Sequence, residues 1–164
     1  MINIIFMSLS ILIPAKNEQD IILDTIKRIR NSKISKIKYE ILVINDFSTD
    51  NTLRILQKFK KSKNIRIINN KIAGLGGVVT TGIKNSRKKY VCIYMADKSD
   101  SIEDLFKYYK IISSKNLDAV FGSRFIKGSK ISDYPFKKLI FNRIFNNMCK
   151  IFFFNNYNDY TNAF

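Results

Sequence analysis

A few polar side chains in this 164-residue chain follow apolar runs in the way that metal- and phosphate-handling groups do. Asp97 and Asp100 come directly after Tyr90–Met95, a β-branched and aromatic run, and Asp46 comes directly after Tyr39–Ile44. Hard carboxylate oxygens placed there suit Mg²⁺ or Mn²⁺ carrying a phosphorylated substrate, because ligands in open α/β sheets bind outside the carboxyl ends of the strands. Arg124 and Lys127 follow a shorter apolar run and offer phosphate oxygens a planar fork and a point charge. A surface ion pair is the plainer use of Arg124. Gly74-Leu-Gly-Gly77 precedes a helical pattern, so its amides can cradle phosphate, although it matches neither a P-loop nor a dinucleotide fingerprint and better suits an ordinary tight loop. Asp100 shares with Ser101 a second possible job, capping the helix that follows; Asp97 is too early for that and is the stronger candidate for chemistry.

The elements that must position these groups alternate. Strands are expected at Ser8–Ile13, Tyr39–Ile44, Ile65–Ile68, Tyr90–Met95 and Ala119–Gly122, the fourth of them central and covered on both faces because its alternation is lost. Pro14 ends the first, having no amide proton for a ladder. Helices are expected at Gln19–Arg30, with Ile21, Ile22, Ile26 and Ile29 on one face; at Leu53–Lys61, capped by Asp50 or Ser48; at Val78–Ser86; and at Ile102–Lys115. This order predicts an α/β domain with a mostly parallel sheet flanked by helices. From Phe136 to Phe154 basic and aromatic residues interleave; the charges rule out a spanning helix, while a helix lying in the headgroup plane, or one packed on the sheet, fits.

Composition bounds the alternatives. There are no repeats and no linker, so one domain over 1–164 is expected. The formal net charge of +16 permits a polyanionic partner, but the joint abundance of Lys, Ile, Asn and Phe, all with A/T-rich codons, weakens charge as a diagnosis. No histidine is present, which removes His-based triads, general bases and zinc sites. Cys92 and Cys149 have no metal or disulfide spacing and read as reduced core residues of a cytoplasmic protein. The apolar amino terminus lacks the basic flank of a signal peptide and the length of a membrane span.

The strand-end motifs together resemble the family-2 glycosyltransferases, most closely the dolichol-phosphate mannose synthase and polyprenyl-phosphate sugar transferase branch. Pro14-Ala-Lys-Asn-Glu18 is similar to the family's Pro-Thr-Tyr-Asn-Glu, and Asn45-Asp-Phe-Ser-Thr-Asp-Asn-Thr52 to its Asp-Asp-Gly-Ser-Pro-Asp-Gly-Thr. Gly74-Leu-Gly, Gly122-Ser-Arg-Phe and Asp159-Tyr-Thr-Asn-Ala-Phe164 fall in family order. The resemblance implies a Rossmann-like, nucleotide-sugar-binding glycosyltransferase A-type fold. It implies that Pro14, Glu18, Ile44 and Asp46 hold the base and ribose of the donor, while Lys16 occupies a position often filled by Tyr and counts, with Ala96, among the donor-binding residues. Ala96 and Asp97 match the end of the family's Asp-Ala-Asp, with Asp97 the metal ligand, and Arg124 matches an arginine near the diphosphate. Met95 replaces the first aspartate, and Asp100 is expected to take part instead.

The implied reaction is inverting transfer of a sugar from a nucleoside diphosphate to an acceptor, a polyprenyl (dolichyl or undecaprenyl) phosphate, at the cytoplasmic face of a membrane. Mg²⁺ or Mn²⁺ and Arg124 would stabilise the leaving group, and nucleic acid is not an expected partner. Three other readings compete: a nucleotidyltransferase, against which Pro14–Glu18 lacks glycine; a basic non-enzymatic module, against which Asp46 and Asp97 would repel phosphates unless a cation intervenes; and an inactive relative, favoured by Met95. The resemblance also implies that the family's acceptor-side elements begin where this chain stops, so a carboxyl-terminal truncation is expected.

Overall fold

The computed structural model describes residues 8–126 and 135–162. By packing, the chain divides into two compact units, Met1–Ala119 and Val120–Phe164.

The first unit is a four-stranded parallel sheet with the order β3-β2-β1-β4, built from β1 (Ser8–Ala15), β2 (Lys38–Asn45), β3 (Ile65–Asn69) and β4 (Tyr90–Ile93). The helices between them are α1 (Ile22–Arg30), α2 (Thr52–Leu56, continued by a 3₁₀ turn at Gln57–Phe59), α3 (Leu75–Asn85) and α4 (Ile102–Lys115). Parallel neighbours force every connection to cross over the sheet, so all four strands point the same way and all four carboxyl ends share one edge. In β1 and β2 consecutive residues are almost all buried, as in a strand covered on both faces. Leu12, Leu42 and Ile44 pack with Val78 of α3 and with Ile68 on one face. Ile11, Ile13, Ile41 and Val43 alternate onto the other and are equally inaccessible.

Three expectations need correction. Pro14 does not end the first strand: β1 runs through it to Ala15, with Pro14 opposite Ile44, and the ladder to β4 has already stopped at Leu12. Tyr90–Met95 is not a central strand: β4 covers four residues and lies at the edge of the described sheet, with Val91 39% exposed. Its apolar run misleads because Tyr94, completely buried, belongs to the loop beyond the ladder, held by its amide on the Leu12 carbonyl (2.8 Å). Ala119–Gly122 forms no strand. The backbone there is satisfied by side chains instead: Asn162 Nδ2 donates to the Gly122 carbonyl (3.3 Å), and the Arg124 amide donates to Asp159 Oδ2 (3.0 Å).

The second unit contains α5 (Phe136–Phe152) and the loops around it. Phe136, Phe141, Ile151 and Phe152 are exposed on α5, which carries no acidic residue. Among the described residues no helix is long and apolar enough to cross a membrane. Both cysteines are free, and both are half-buried rather than deep core; burial pushes the Cys92 thiol up to about 12.

Candidate functional site

The carboxyl edge of the sheet is built by two interlocked loops. The loop after β1 and the loop after β2 exchange polar contacts: the Asn17 amide donates to Ser48 Oγ (3.1 Å), the Thr49 amide to Asn17 Oδ1 (2.8 Å), the Glu18 amide to Thr52 Oγ1 (2.8 Å) and the Gln19 amide to Asp50 Oδ2 (3.1 Å). Asn17 and Phe47 adopt left-handed backbone conformations in these turns. Asp50 Oδ1 also accepts from the Thr52 amide (2.9 Å), a turn contact from the residue before the α2 N-cap; the N-cap is Asn51, which makes no side-chain cap bond, so neither Asp50 nor Ser48 is the cap expected. Asparagine tolerates the left-handed turn better than most residues, which is why Pro-x-x-Asn-Glu can present Glu18 at the crevice.

Asp46 lies immediately beyond β2 and is buried. Its carboxylate accepts from Asn70 Nδ2 (2.8 Å) and from the Gly74 amide (3.0 Å to Oδ2). Gly74 has φ of +94°, which only glycine adopts at little cost, and it opens α3. Gly77 has a different reason: a Cβ there would overlap the Ile72 carbonyl oxygen. The glycine run thus brings the 70–74 loop against the first turn of α3, and Asp46 ties that loop to β2.

At the end of β4 the two candidate metal ligands behave differently. Asp97 is exposed, with Oδ1 accepting from the Ser99 amide (2.9 Å). Asp100 is half-buried and folds back, its Oδ2 accepting from the Met95 amide (2.7 Å). Ser101, not Asp100, caps α4, its Oγ accepting from the Asp104 amide (3.2 Å). That frees Asp100 from the capping job the sequence left open. Burial and then the Asp97 charge push the Asp100 carboxyl up, against the pull of the Met95 amide. Glu18 is pushed up as well, by burial and by the charges of Asp97 and Asp50. Carboxylates from three strand ends therefore crowd one crevice. Among the described residues no three acidic, histidine or cysteine side chains form a ready-made metal cage. The donor set fits a cation that arrives with phosphate oxygens of its own, since Mg²⁺ is usually held by one or two carboxylates plus substrate phosphates.

The other expected residues divide. Pro14 is half-buried and Lys16 exposed at the β1 end. Ile44 is completely buried in the core cluster, so its side chain supports the crevice floor and does not line it. Ala96 is buried and its carbonyl accepts from Thr25 Oγ1 of α1 (2.7 Å), anchoring the loop that carries Asp97. Lys127 lies outside the described residues. Arg124 is in the second unit, where its guanidinium grips Asp159 in a two-point fork (Nε–Oδ2 2.8 Å, Nη2–Oδ1 2.7 Å) and also reaches Thr161 Oγ1 (2.7 Å). Burial would raise the Asp159 carboxyl, but the Arg124 contacts outweigh it and hold it below the usual range. The ion-pair use of Arg124 is the one observed, although its partner is buried rather than on the surface. Residues that sequence reasoning passed over are Asn70, Asn17 and Gln19; all three act through long-range hydrogen bonds that leave no periodic trace.

Comparison with known proteins agrees with this geometry. The family model of glycosyl transferase family 2 matches residues 10–164. A dolichol-phosphate mannosyltransferase of Pyrococcus furiosus is 31% identical over 136 residues, which make up 82% of this chain and 38% of that protein. A dolichyl-phosphate beta-glucosyltransferase of Dictyostelium discoideum is 35% identical over 129 residues, 71% of this chain and 39% of the relative. The chain thus spans less than half the length of these relatives. Among solved structures, Staphylococcus aureus TarS 1-349 in complex with UDP-GlcNAc superposes with a TM-score of 0.59 at 22% identity, covering 80% of this chain and 38% of that one. The mannosyltransferase PcManGT from Pyrobaculum calidifontis, in complex with GDP-Man and Mn²⁺, gives a TM-score of 0.56 at 18% identity, covering 64% and 32%. At those identities the structures establish the glycosyltransferase A-type fold, and the family match carries the rest: the chain belongs to glycosyl transferase family 2.

Proposed function

We propose that this chain is the donor-binding part of an inverting glycosyltransferase that uses a nucleoside diphosphate sugar and, as acceptor, a polyprenyl phosphate. The observation that carries the reading is the placement of Glu18, Asp50, Asp97 and Asp100 at the carboxyl edge of a parallel sheet, where burial first and the neighbouring carboxylates second push Glu18 and Asp100 up. Uncompensated carboxylates are costly, and a divalent cation bound to a diphosphate relieves them. Asp97, with Asp100 beside it, would hold that ion, which supplies charge to meet the departing diphosphate. Asp46 and Glu18 orient the nucleoside, and the α3 amino terminus adds a favourable dipole.

The acceptor phosphate has its second pKa near about 6, so it is already a nucleophile at neutral pH and needs no protein base. Its oxygen attacks the anomeric carbon while the bond from that carbon to the nucleoside diphosphate breaks, the diphosphate leaving with the electron pair. One displacement inverts the anomeric centre. The lack of histidine is compatible with this chemistry. Arg124 is assigned to holding Asp159 and Thr161 rather than to the diphosphate, because its fork is already engaged.

The names of the two dolichol-linked relatives support a lipid acceptor, and α5 supports a membrane-surface approach. Lys137, Lys138 and Lys150 lie on a helix whose exposed aromatics can enter a headgroup layer while its amines meet anionic lipid. The test is a thermal-shift screen of GDP- and UDP-sugars with and without Mg²⁺ or Mn²⁺, since a ligand that binds only the folded state raises its stability. Stabilisation by one donor, enhanced by metal, is the expected result. No shift with any nucleotide sugar would favour the inactive or non-enzymatic reading.

A further inference from the structure

Asn70 is a residue that neither motif reading nor the proposed chemistry uses, yet it is among the most heavily engaged side chains in the molecule. It directly follows β3, and its amide donates to the Asn45 carbonyl (2.8 Å), extending the ladder one step to the carboxyl edge. The residue is 6% exposed. Nδ2 donates to Asp46 Oδ1 (2.8 Å) and to the Ile72 carbonyl oxygen. Oδ1 accepts from the Lys71 amide (3.0 Å) and from Thr81 Oγ1 of α3 (2.9 Å). The orientation of the carboxamide follows from its neighbours, because turning it over would set its oxygen against a carboxylate and a carbonyl and its nitrogen against an N–H donor. Both donors and the acceptor are consequently committed.

Asp46 is held from two sides, by Asn70 and by the Gly74 amide. A carboxylate has about four lone-pair positions, and the contacts place Asn70 on Oδ1 and the Gly74 amide on Oδ2, so acceptor capacity remains for a ligand while the carboxylate plane is fixed from the 70–74 loop. We infer that Asn70 is a positioning residue that aims the Asp46 carboxylate at the donor nucleoside and couples that aim to the α3 glycine loop. The inference rests on the reading of Asp46 as a nucleoside contact. It adds that Asn70 acts only through Asp46, without touching the ligand.

The test is a double-mutant cycle with GDP and UDP as probes, measured by calorimetry in chelator so that metal ligation plays no part. Asn70→Ala is expected to weaken diphosphate binding about ten-fold in the otherwise unchanged chain, the size of effect that a lost hydrogen bond to a charged group produces. In an Asp46→Ala background the same substitution is expected to change affinity less than two-fold, because the group it aims is gone. A purely structural role would weaken both backgrounds equally, and that result, or an Asn70→Ala chain that binds like the unchanged one, overturns the inference. Asn70→Ser guards against simple unfolding: it keeps a small polar side chain and removes the Nδ2 donors without setting a charge beside Asp46, and is expected to match the alanine variant. Failure of the unchanged chain to bind either diphosphate would instead overturn the nucleoside reading of Asp46, and this inference with it.

Discussion

Replacing Glu40 by glutamine should cost about 3 kcal/mol of stability, and the structure shows why. Glu40 is in β2 opposite Ser10 of β1 and is only 4% exposed. Its Oε1 accepts from Ser10 Oγ (2.7 Å) and the Arg87 amide (2.6 Å), and its Oε2 pairs with Arg66 Nη1 (3.3 Å). Burial would raise this carboxyl, but Ser10, the Arg87 amide and Arg66 together hold it below its ordinary value. Glutamine keeps the volume. Its single oxygen can still serve Ser10 and Arg87, but two charge-assisted bonds worth about 1.5–3 kcal/mol each become neutral ones worth about 0.5–1.5. The amide nitrogen then faces Arg66, which is partly exposed and retains the Asn85 carbonyl (2.8 Å), so that pair adds about 1 kcal/mol or less. At about 2–4 °C per kcal/mol for a chain of this size, the melting midpoint should drop about 9 °C at pH 7. The folded pKa is depressed, so the stabilisation is present above the unfolded value of about 4.3 and is lost as pH falls through the folded value. Melts followed by circular dichroism from pH 7 to pH 3 should therefore show the gap between the two proteins closing in acid. A gap that stays constant down to pH 3, or a shift at pH 7 under about 3 °C, would refute the argument. Nucleotide affinity well below the melting range should not change, because Glu40 and Asp46 are six residues apart along an extended strand, about 20 Å.

Asp97→Asn is expected to abolish the metal-dependent part of donor binding, and Asp100→Asn to reduce it less because one Asp100 oxygen already serves the Met95 amide; unchanged metal dependence in Asp97→Asn, read by thermal shift, would remove the ion from Asp97. Gly77→Ala should destabilise the fold by about 1–3 kcal/mol, since its Cβ would meet backbone that cannot yield, whereas Gly76→Ala, with nothing within 4 Å, should be neutral or stabilising by about 0.5–1 kcal/mol; equal melting curves for the two would contradict the close approach of Ile72. Phe141→Asp on α5 should lower binding to vesicles containing phosphatidylserine about ten-fold or more without changing the melting curve, as an exposed aromatic loses its membrane burial and a like charge meets the lipid; flotation of both proteins to the same extent would detach α5 from the membrane.

What was legible in the sequence is what depends on short-range pattern. Asp46 could be placed at a strand end because β2 is a continuous apolar run, and a parallel sheet then puts every such end on one edge whatever the strand order. Strand order itself was misread at β4, since an unbroken apolar run marks burial and not centrality; Tyr94 is buried by the loop it starts. Asn70 and Glu40 were invisible for a different reason, because Asp46 lies 24 residues from Asn70 and Arg87 lies 47 from Glu40, and no local spacing encodes such pairs. Met95 shows how the two kinds of information meet. Read as a side chain, it is the loss of a metal-ligating carboxylate. In the fold its backbone amide is what matters, for it draws the Asp100 carboxylate back to the end of β4, close enough to Asp97 that the two charges oppose each other. The negative charge given up at position 95 is thereby returned to the same loop by a residue five positions later, and Ser101 takes over the capping job that would otherwise have held Asp100 away. A side chain already pushed toward its neutral form gains more from an incoming cation than one that is well solvated, so on the proposed reading Asp100 would supply the second carboxylate that Met95 lacks.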